Sequence, residues 1–262
     1  MNIVVCIKQV PGTSQVEIDE NTGVLKRENV QAKLNPYDLF ALETAFRIRE
    51  KTGGKVIAIT MGPNFAYQAL CEAIYMGADQ GVLLSDRQFA GADVVATSYA
   101  LSQGIRHIGE FDLILCGKQT TDGDTAQVGP EIAEFLDIPH STNIYEVVEI
   151  NQESIIVSAA MEHLVQLQKI ALPALLVVDQ DIVTPRLPSY RRKKQYSDPP
   201  VEVLSLTDLE DQNPDHYGLA GSPTQVEKIF SPEKNQGQRL IEGDADILLF
   251  ELEAILKVQR LI

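Results

Sequence analysis

The first two thirds of the sequence alternate between short apolar runs rich in β-branched residues and longer amphipathic stretches, and this alternation limits the fold more than any other feature. Residues 3–7 and 55–61 are nearly continuous apolar runs, as expected for strands that are buried on both faces of a sheet. Between them, residues 38–51 carry apolar side chains at three- and four-residue spacing, which predicts a helix. Strands and helices that alternate in this way form a parallel sheet covered by helices. The pattern therefore predicts an α/β domain with a parallel sheet and helices on both faces.

The same criteria place the other elements of the fold. They predict further strands at residues 81–85, 113–116 and 174–178, and helices at residues 64–76, 93–104 and 128–136. Early in the chain, residues 16–18 and 24–26 flank a turn that contains Gly23, which predicts a hairpin. After Pro139 the pattern changes to antiparallel β extension, with β-like runs at residues 143–150, 154–161 and 164–170.

The C-terminal part of the chain has a different character. Residues 184–200 lose the periodicity and contain four prolines, and residues 208–243 are polar and rich in Pro, Gly, Asn and Gln. A loop of this length is unusual inside a compact domain, so we expect an extended arm that lies on another protein or is partly disordered. Residues 244–262 regain a helical stripe that is apolar on more than one face, which predicts a docking helix. We therefore expect an α/β domain at residues 1–200 and an arm with a terminal helix at residues 201–262.

Charge and composition exclude several classes of function. The chain has 22 Lys and Arg against 37 Asp and Glu, a formal charge of −15, which argues against sequence-independent nucleic-acid binding and against docking on an anionic membrane. No apolar run approaches the ~20 residues needed to span a bilayer, and the N-terminus reads as a strand, not as a signal peptide. The widely spaced Cys6, Cys71 and Cys116 do not suit a disulfide framework or a cysteine-ligated cluster. A cytoplasmic protein is the expectation.

Glycine-bearing turns follow three of the predicted parallel strands, at residues 8–12, 61–63 and 117–119. Ligands bind at the carboxyl ends of such strands, where backbone amides and helix N-termini favour phosphate. The longest turn, residues 117–130, offers small residues, hydroxyls and a helix start, but it is neither a P-loop nor a Gly-x-Gly-x-x-Gly motif. From these residues alone, nucleotide binding and an ordinary strand–helix loop are both open.

Other polar groups carry weaker signals. Asp122 and Asp124 lack the further oxygen ligands of a calcium loop, so capping and turn formation are favoured, and the four histidines have no metal-ligand spacing. No nucleophile motif is present. We therefore expect no metal site and no catalytic residue in this chain. The basic run at residues 191–194 is either a solvated face or a docking loop.

Several motifs together resemble the β subunit of electron transfer flavoproteins. The resemblance runs in order from residue 2 to about residue 195, and its motifs are VCIKQVP at residues 5–11, LNPYD at 34–38, IAITMGP at 57–63, MGAD at 76–79, LCGKQ at 115–119 and DGDTAQVG at 122–129. It implies a Rossmann-like domain, a homologous α subunit as partner, and a C-terminal arm that wraps the partner.

The resemblance also implies a nucleotide site, since the β subunits of this family bind adenine nucleotide in their own sheet. The matching positions here are Cys6, Asn35, Pro36, Tyr37, Asp38, Met61, Gly117, Lys118, Gln119, Thr120, Thr121, Asp122, Gly123, Asp124, Thr125, Ala126, Gln127 and Val128. The α subunit holds a further flavin near the subunit boundary, and Tyr37 is a candidate contact with it.

Two branches of the family differ in what this site holds. One keeps AMP as a structural ligand and carries electrons from dehydrogenases to a respiratory quinone reductase. The other binds FAD and bifurcates or confurcates electrons among NAD(H), ferredoxin and a dehydrogenase flavin in anaerobic metabolism. Residues 122–130 resemble the FAD-binding branch, and small residues at Gly123 and Ala126 suit a site that admits more than AMP. The AMP-binding carrier and a stand-alone ATP-binding α/β protein are the alternatives.

A last feature of the resemblance is a partner-docking loop after the Pro185-Arg186 motif, which is several residues shorter here than in much of the family. The resemblance implies docking through Leu187 and Tyr190, and the adjoining Arg191 and Arg192 are further candidates. The partner implied is a flavin-dependent dehydrogenase of the acyl-CoA, enoyl-CoA or lactate type.

Overall fold

A nine-stranded sheet forms the centre of the structure, a computed structural model that describes residues 1–12, 32–180, 182–227 and 240–260. In chain order the strands of this sheet and of a two-stranded ribbon are β1 (Asn2–Cys6), β2 (Gln9–Pro11), β3 (Ala32–Leu34), β4 (Lys55–Met61), β5 (Gln80–Leu84), β6 (Leu113–Gly117), β7 (His140–Ile150), β8 (Ser154–Ala160), β9 (Val165–Ala171), β10 (Ala174–Val178) and β11 (Val201–Leu204). The helices are α1 (Pro36–Thr52), α2 (Tyr67–Met76), α3 (Val94–Ile108), α4 (Val128–Leu136), α5 (Tyr190–Gln195) and α6 (Ala245–Val258). The hairpin predicted at residues 16–26 lies outside the described residues.

The order of the strands places β1 in the middle of the parallel part of the sheet. Across the sheet the order is β11-β5-β4-β1-β6-β10-β7-β8-β9. Neighbours from β11 to β7 run parallel, whereas β7, β8 and β9 pair antiparallel, so the predicted antiparallel extension is confirmed. The chain builds β4 and β5 on one side of β1 and then crosses to form β6 on the other side. The carboxyl ends of β1 and β6 therefore meet at a topological switch point, where open α/β sheets bind ligands.

Helices cover both faces of the sheet, which confirms the predicted fold class. Successive strand residues point to opposite faces. Val5 therefore belongs to the core with Phe46 of α1, while Val4 belongs to the core with Ile105 of α3. Full burial of apolar side chains of this size contributes roughly 1.5–3 kcal/mol each.

Helix α3 is longer at its C-terminal end than the predicted helix at residues 93–104. Asp93 caps its N-terminus by accepting a hydrogen bond from the Ala96 amide at 3.0 Å. Gly104 lies inside the helix, and a Cβ there would come within 2.8 Å of Ile59 Cδ1. This glycine therefore lets α3 pack closely on the sheet and does not end the helix.

The expected arm at residues 201–262 consists of two parts with different surroundings. Its beginning packs on the domain, because β5 offers β11 an unpaired edge and because the fully buried Tyr217 packs on Tyr99 of α3 with ring centroids 5.4 Å apart. The first part of the predicted arm thus contributes a strand and a buried aromatic side chain to the domain. Helix α6 has no buried residue, and most of its apolar side chains, Phe250 among them, are exposed. Among the helices that the structure describes, none has both the length and the apolar character that a membrane span requires.

Helix α5 forms within the proline-rich stretch that shows no periodicity. Ser189 caps it by accepting a hydrogen bond from the Arg192 amide at 3.3 Å. The Arg192 side chain donates to the carbonyl oxygens of Ile74 at 2.8 Å and Ala78 at 2.7 Å. Tertiary contacts hold this short helix in place, as is usual for helices too short to be stable alone.

Candidate functional site

The candidate site lies at the switch point between β1 and β6, as the glycine-bearing turns predict. Cys6 and Cys116 are register partners near the carboxyl ends of these two strands. The loop at residues 118–127 follows β6 and leads into α4, and the N-terminus of α1 lies beside it. Met61, another predicted site residue, ends the neighbouring strand β4. The structure thus brings the predicted residues of β1, α1 and the β6–α4 loop together at one edge of the sheet.

Asn35 connects the start of α1 to this loop. Its Nδ2 donates to Asp38 Oδ1 and to the Gln119 carbonyl, both at 2.9 Å, and its Oδ1 accepts from the Thr121 amide at 3.3 Å. Asn35 is fully buried. It therefore positions the loop and is not exposed to contact a ligand.

Asp38 is a second buried polar residue of the site. Its Oδ2 accepts from the Lys8 amide at 2.7 Å. Burial raises the pKa of Asp38 to about 7, although the hydrogen bonds from Asn35 and from the Lys8 amide act in the opposite direction. A Cβ at Gly117 would lie 2.5 Å from Asp38 Oδ1 and 2.6 Å from the Tyr37 carbonyl carbon, so only glycine allows this close approach. The site is thus a tight junction between β6 and α1.

The loop before α4 has an unusual backbone conformation. Thr120 starts a turn, since its carbonyl accepts from the Asp124 amide at 3.0 Å. Asp124 and Ala126 have φ values of 54° and 56°, and Gln127 returns to the right-handed region. Within the described part of the chain, the amides of Thr125, Ala126 and Gln127 donate to no protein acceptor. Successive free amides in such a conformation form an anion-binding concavity, and the N-terminus of α4 adds to it.

Two lysines near the loop form ion pairs. Lys8 Nζ lies 2.8 Å from Asp122 Oδ2, and Lys118 Nζ lies 2.8 Å from Asp179 Oδ2. Burial alone raises the pKa of Asp122, but the hydrogen bond and the charge of Lys8 outweigh this effect and hold it below its usual value. The predicted site residues do not include Lys8 or Asp179. Their positions could have identified them, since Lys8 lies in the turn after β1 and Asp179 directly follows β10.

The remaining predicted residues lie around this loop. Pro36 occupies the first turn of α1, and the Tyr37 hydroxyl accepts from Gln119 Nε2 at 3.4 Å. A hydrogen bond with Cys6, together with burial, raises the pKa of the Cys116 thiol, so the Cys116 thiol is neutral. Val128 begins α4, while Gly123 is exposed on the loop and its amide donates to Thr120 Oγ1 at 3.3 Å.

The predicted docking residues form a separate surface on α5 and the segment before it. Leu187 and Tyr190 are largely exposed, and Lys194 Nζ lies 4.9 Å from the centre of the Tyr190 ring. Arg191 is exposed beside them. Arg192 differs, because its guanidinium bonds to the carboxyl end of α2 as described above and lies over the Tyr196 ring. Arg192 therefore holds α5 in place, and Leu187, Tyr190 and Arg191 are the side chains free to meet a partner.

Comparison with known proteins gives one consistent result. A model of the electron transfer flavoprotein domain matches residues 22–209. Similar proteins include the electron transfer flavoprotein subunit beta of Thermoanaerobacterium thermosaccharolyticum, 46% identical over 93% of each chain. They also include the caffeyl-CoA reductase-Etf complex subunit CarD of Acetobacterium woodii, 42% identical over 93% of this chain and 92% of that protein. Protein FixA of Azotobacter vinelandii is 42% identical over 94% of this chain and 90% of its own length. The chain therefore belongs to the electron transfer flavoprotein family, in the group formed by its β subunits and the FixA proteins.

Proposed function

We propose that this chain is the β subunit of a heterodimeric electron transfer flavoprotein that binds FAD in the β6–α4 loop and takes part in electron bifurcation or confurcation. The reaction would link NAD(H), ferredoxin and a partner flavin dehydrogenase. The observation that carries nucleotide binding is the set of free amides at residues 125–127, at the switch point of the sheet. The name of one relative, subunit CarD of the caffeyl-CoA reductase-Etf complex, supports a role in a multi-subunit flavin complex.

The residues present fit the phosphate part of FAD. The amides of Thr125, Ala126 and Gln127 supply donors that match phosphate oxygens. Gly123 supports a ligand beside them, since a Cβ there would meet only Thr120 Oγ1, at an ordinary 3.4 Å, and its φ is not left-handed. The fold does not need this glycine, so we attribute it to the space that a nucleotide occupies.

The residues of this chain would bind and orient the cofactor without an acid–base step. The loop amides would hold the phosphates, and the buried Asn35 and Asp38 would keep the loop against α1. Bound FAD would supply the redox chemistry, accepting and donating electrons, with its potential set by nearby hydrogen bonds and charge.

Two exposed surfaces of the chain are suited to contact other proteins. Helix α6 carries exposed Leu249, Phe250 and Leu252, and a helix apolar on several sides is stable only when it is covered. We assign this helix to the α subunit. Leu187 and Tyr190 beside the basic Arg191 suit docking to a flavin dehydrogenase of the acyl-CoA, enoyl-CoA or lactate type.

The alternative is an AMP-binding electron carrier without bifurcation. The loop amides recognise phosphate, which AMP and FAD share, so the same observation favours both ligands. A stand-alone ATP-binding protein fits less well, because it leaves the apolar side chains of α6 without a partner.

The test is to co-purify the chain with its α subunit, denature the complex and quantify FAD and AMP per heterodimer by chromatography. Two FAD without AMP support the proposal, and oxidation of NADH that requires both ferredoxin and the dehydrogenase acceptor then tests bifurcation. One FAD with one AMP replaces the proposal by the alternative. A complex with no nucleotide contradicts both.

A further inference from the structure

We propose that Lys8 binds the phosphate of the nucleotide, and that Asp122 holds the Lys8 side chain until the nucleotide replaces it. This inference rests on the proposed nucleotide binding. It concerns a residue that is not among the predicted site residues, although its motif belongs to the resemblance, and an ion pair that joins the end of β1 to the β6–α4 loop.

The backbone of Lys8 is fixed, whereas its side chain is free to change partner. The Lys8 amide donates to Asp38 Oδ2 at 2.7 Å, and its carbonyl accepts from the Asn35 amide at 2.9 Å. Its ammonium group lies 2.9 and 2.8 Å from the two oxygens of Asp122. The two side chains are 45% and 33% exposed, so this pair lies at the surface of the site. Exposed ion pairs are weak, and a doubly charged phosphate can compete with a single carboxylate for the lysine.

The negative charges around the site explain why a freed lysine would help a phosphate to bind. The chain carries a formal charge of −15, and the loop itself contributes Asp122 and Asp124, all of which oppose an approaching phosphate. The other lysine of the loop, Lys118, pairs with Asp179 at the end of β10, on the other side of β6 from β1. Among the described residues, Lys8 pairs with a carboxylate of the loop that carries the free amides, and its release from Asp122 would make one positive charge available beside that loop.

A purely structural ion pair makes a different prediction from an exchanging one. If the pair only ties the loop to β1, removing either partner loosens the loop and weakens binding of the nucleotide. If Lys8 exchanges partners, removing Lys8 weakens binding, whereas removing the charge of Asp122 frees the lysine and strengthens binding. The opposite signs of the two variants therefore decide between the roles.

The experiment measures binding to the nucleotide-depleted heterodimer by calorimetry, with AMP, FAD and adenosine as probes. We expect Lys8→Met to weaken AMP binding about tenfold and Asp122→Asn to tighten it about threefold, because one charge-assisted contact is lost or made available. Adenosine, which has no phosphate, should bind the unmodified heterodimer, Lys8→Met and Asp122→Asn with affinities that agree within about twofold. Lys8→Arg keeps the charge and should retain AMP affinity within about threefold.

Controls remove the same charges at the opposite edge of the sheet. Lys55→Met changes an exposed residue at the start of β4, and Glu110→Gln changes an exposed residue before β6. Both should leave AMP binding unchanged. Weaker binding by both Lys8→Met and Asp122→Asn, or equal losses for AMP and adenosine, would overturn the exchange and leave a structural tie. Unaltered AMP binding by Lys8→Met would also overturn it. If the unmodified heterodimer binds neither AMP nor FAD, the proposed nucleotide function itself fails. If Lys8→Met does not fold, Lys8→Gln takes its place. Because loss of the Asp122 charge alone also reduces repulsion of the phosphate, Asp122→Asn is measured in the Lys8→Gln background too, and an equal tightening there would overturn the exchange.

Discussion

Arg186 and Glu43 form a two-point ion pair that attaches the segment before α5 to helix α1. Arg186 Nε and Nη2 donate to Glu43 Oε2 at 2.7 Å and Oε1 at 3.1 Å, and the guanidinium lies 5.0 Å from the centre of the Phe46 ring. The exposed Leu187 follows directly in the chain. The ion pair therefore fixes the point from which the proposed docking residues project.

Arg186→Met should lower the free energy of unfolding by about 2 kcal/mol, because the Glu43 carboxylate is nearly buried and would lose two of its four donors. The same variant should weaken docking of the partner dehydrogenase, while Leu187→Ala weakens docking without the loss of stability. Urea denaturation of the purified heterodimer measures the first effect, and the KM for the dehydrogenase measures the second.

Arg47 provides the matched control for Arg186. Its Nε donates to the same Glu43 carboxylate at 3.0 Å, but its side chain is 51% exposed, whereas that of Arg186 is 34% exposed. Arg47→Met should therefore cost less than about 1 kcal/mol. Equal losses for the two variants would contradict the special role of Arg186.

Asn35→Ala should release the β6–α4 loop from α1. The variant loses the bonds to Asp38, Gln119 and Thr121 and leaves Oδ1 of the buried Asp38 without its donor, so we expect stability to fall by about 2–4 kcal/mol. Nucleotide content should fall with it, although the Asn35 side chain is too buried to contact a ligand. Thermal unfolding and quantification of bound nucleotide measure the two effects.

Gln119→Ala is the control for Asn35→Ala, because it removes a side chain of the loop but keeps the main-chain contact that positions the loop. The Gln119 carbonyl that accepts from Asn35 is retained in this variant, and only a long 3.4 Å contact with Tyr37 is lost. We expect a change in stability below about 1 kcal/mol. A loss as large as that of Asn35→Ala would show that the asparagine is not what holds the loop.

The sheet and most helices could be predicted because their signals are local. The observed bounds agree with the predicted ones for β4, β10 and α4. For the two strands the reason is that a strand buried on both faces tolerates few polar residues. Helix α5 and the packing of Tyr217 could not be predicted. They depend on contacts between residues far apart in sequence, such as Arg192 with Ile74, 118 positions away.

The same limit applies to the candidate site. The motifs at residues 34–38 and 117–128 identified its location, because glycines and hydroxyls after parallel strands have a local meaning. They could not show that Asn35 and Asp38 are buried supports, nor that Lys8 meets Asp122, 114 positions later in the chain. Local sequence thus indicates where to look for a candidate site, and only the packed structure separates its exposed residues from its buried supports.

Asp38 should make stability depend on pH. Its pKa is raised from 3.8 to about 7 by burial, so the folded state resists ionisation that the unfolded chain undergoes freely. This contribution lowers stability as pH rises through the window between these two values, and amounts to about 3 kcal/mol between pH 5 and pH 8. Asp38→Asn cannot ionise and should not show this fall.

The measurement compares urea denaturation of the unmodified protein and of Asp38→Asn at several pH values. A constant difference between them reflects the altered hydrogen bonds with Asn35 and Lys8 and does not bear on ionisation. The expected result is a difference that shifts in favour of the variant from pH 5 to pH 8. Parallel curves would mean that the folded protein does not raise this pKa.

Gly123 and Gly117 should respond differently to added side chains, although both lie in the nucleotide loop region. A Cβ on Gly123 would meet only Thr120 Oγ1 at 3.4 Å, so Gly123→Val should change stability by less than about 1 kcal/mol. It should nevertheless empty the β site and lower FAD from two to one per heterodimer, because the added bulk occupies the proposed nucleotide space. Gly117→Ala should instead destabilise the fold, since its Cβ would lie 2.5 Å from Asp38 Oδ1. Unchanged flavin content in a folded Gly123→Val complex would refute the proposed position of the nucleotide.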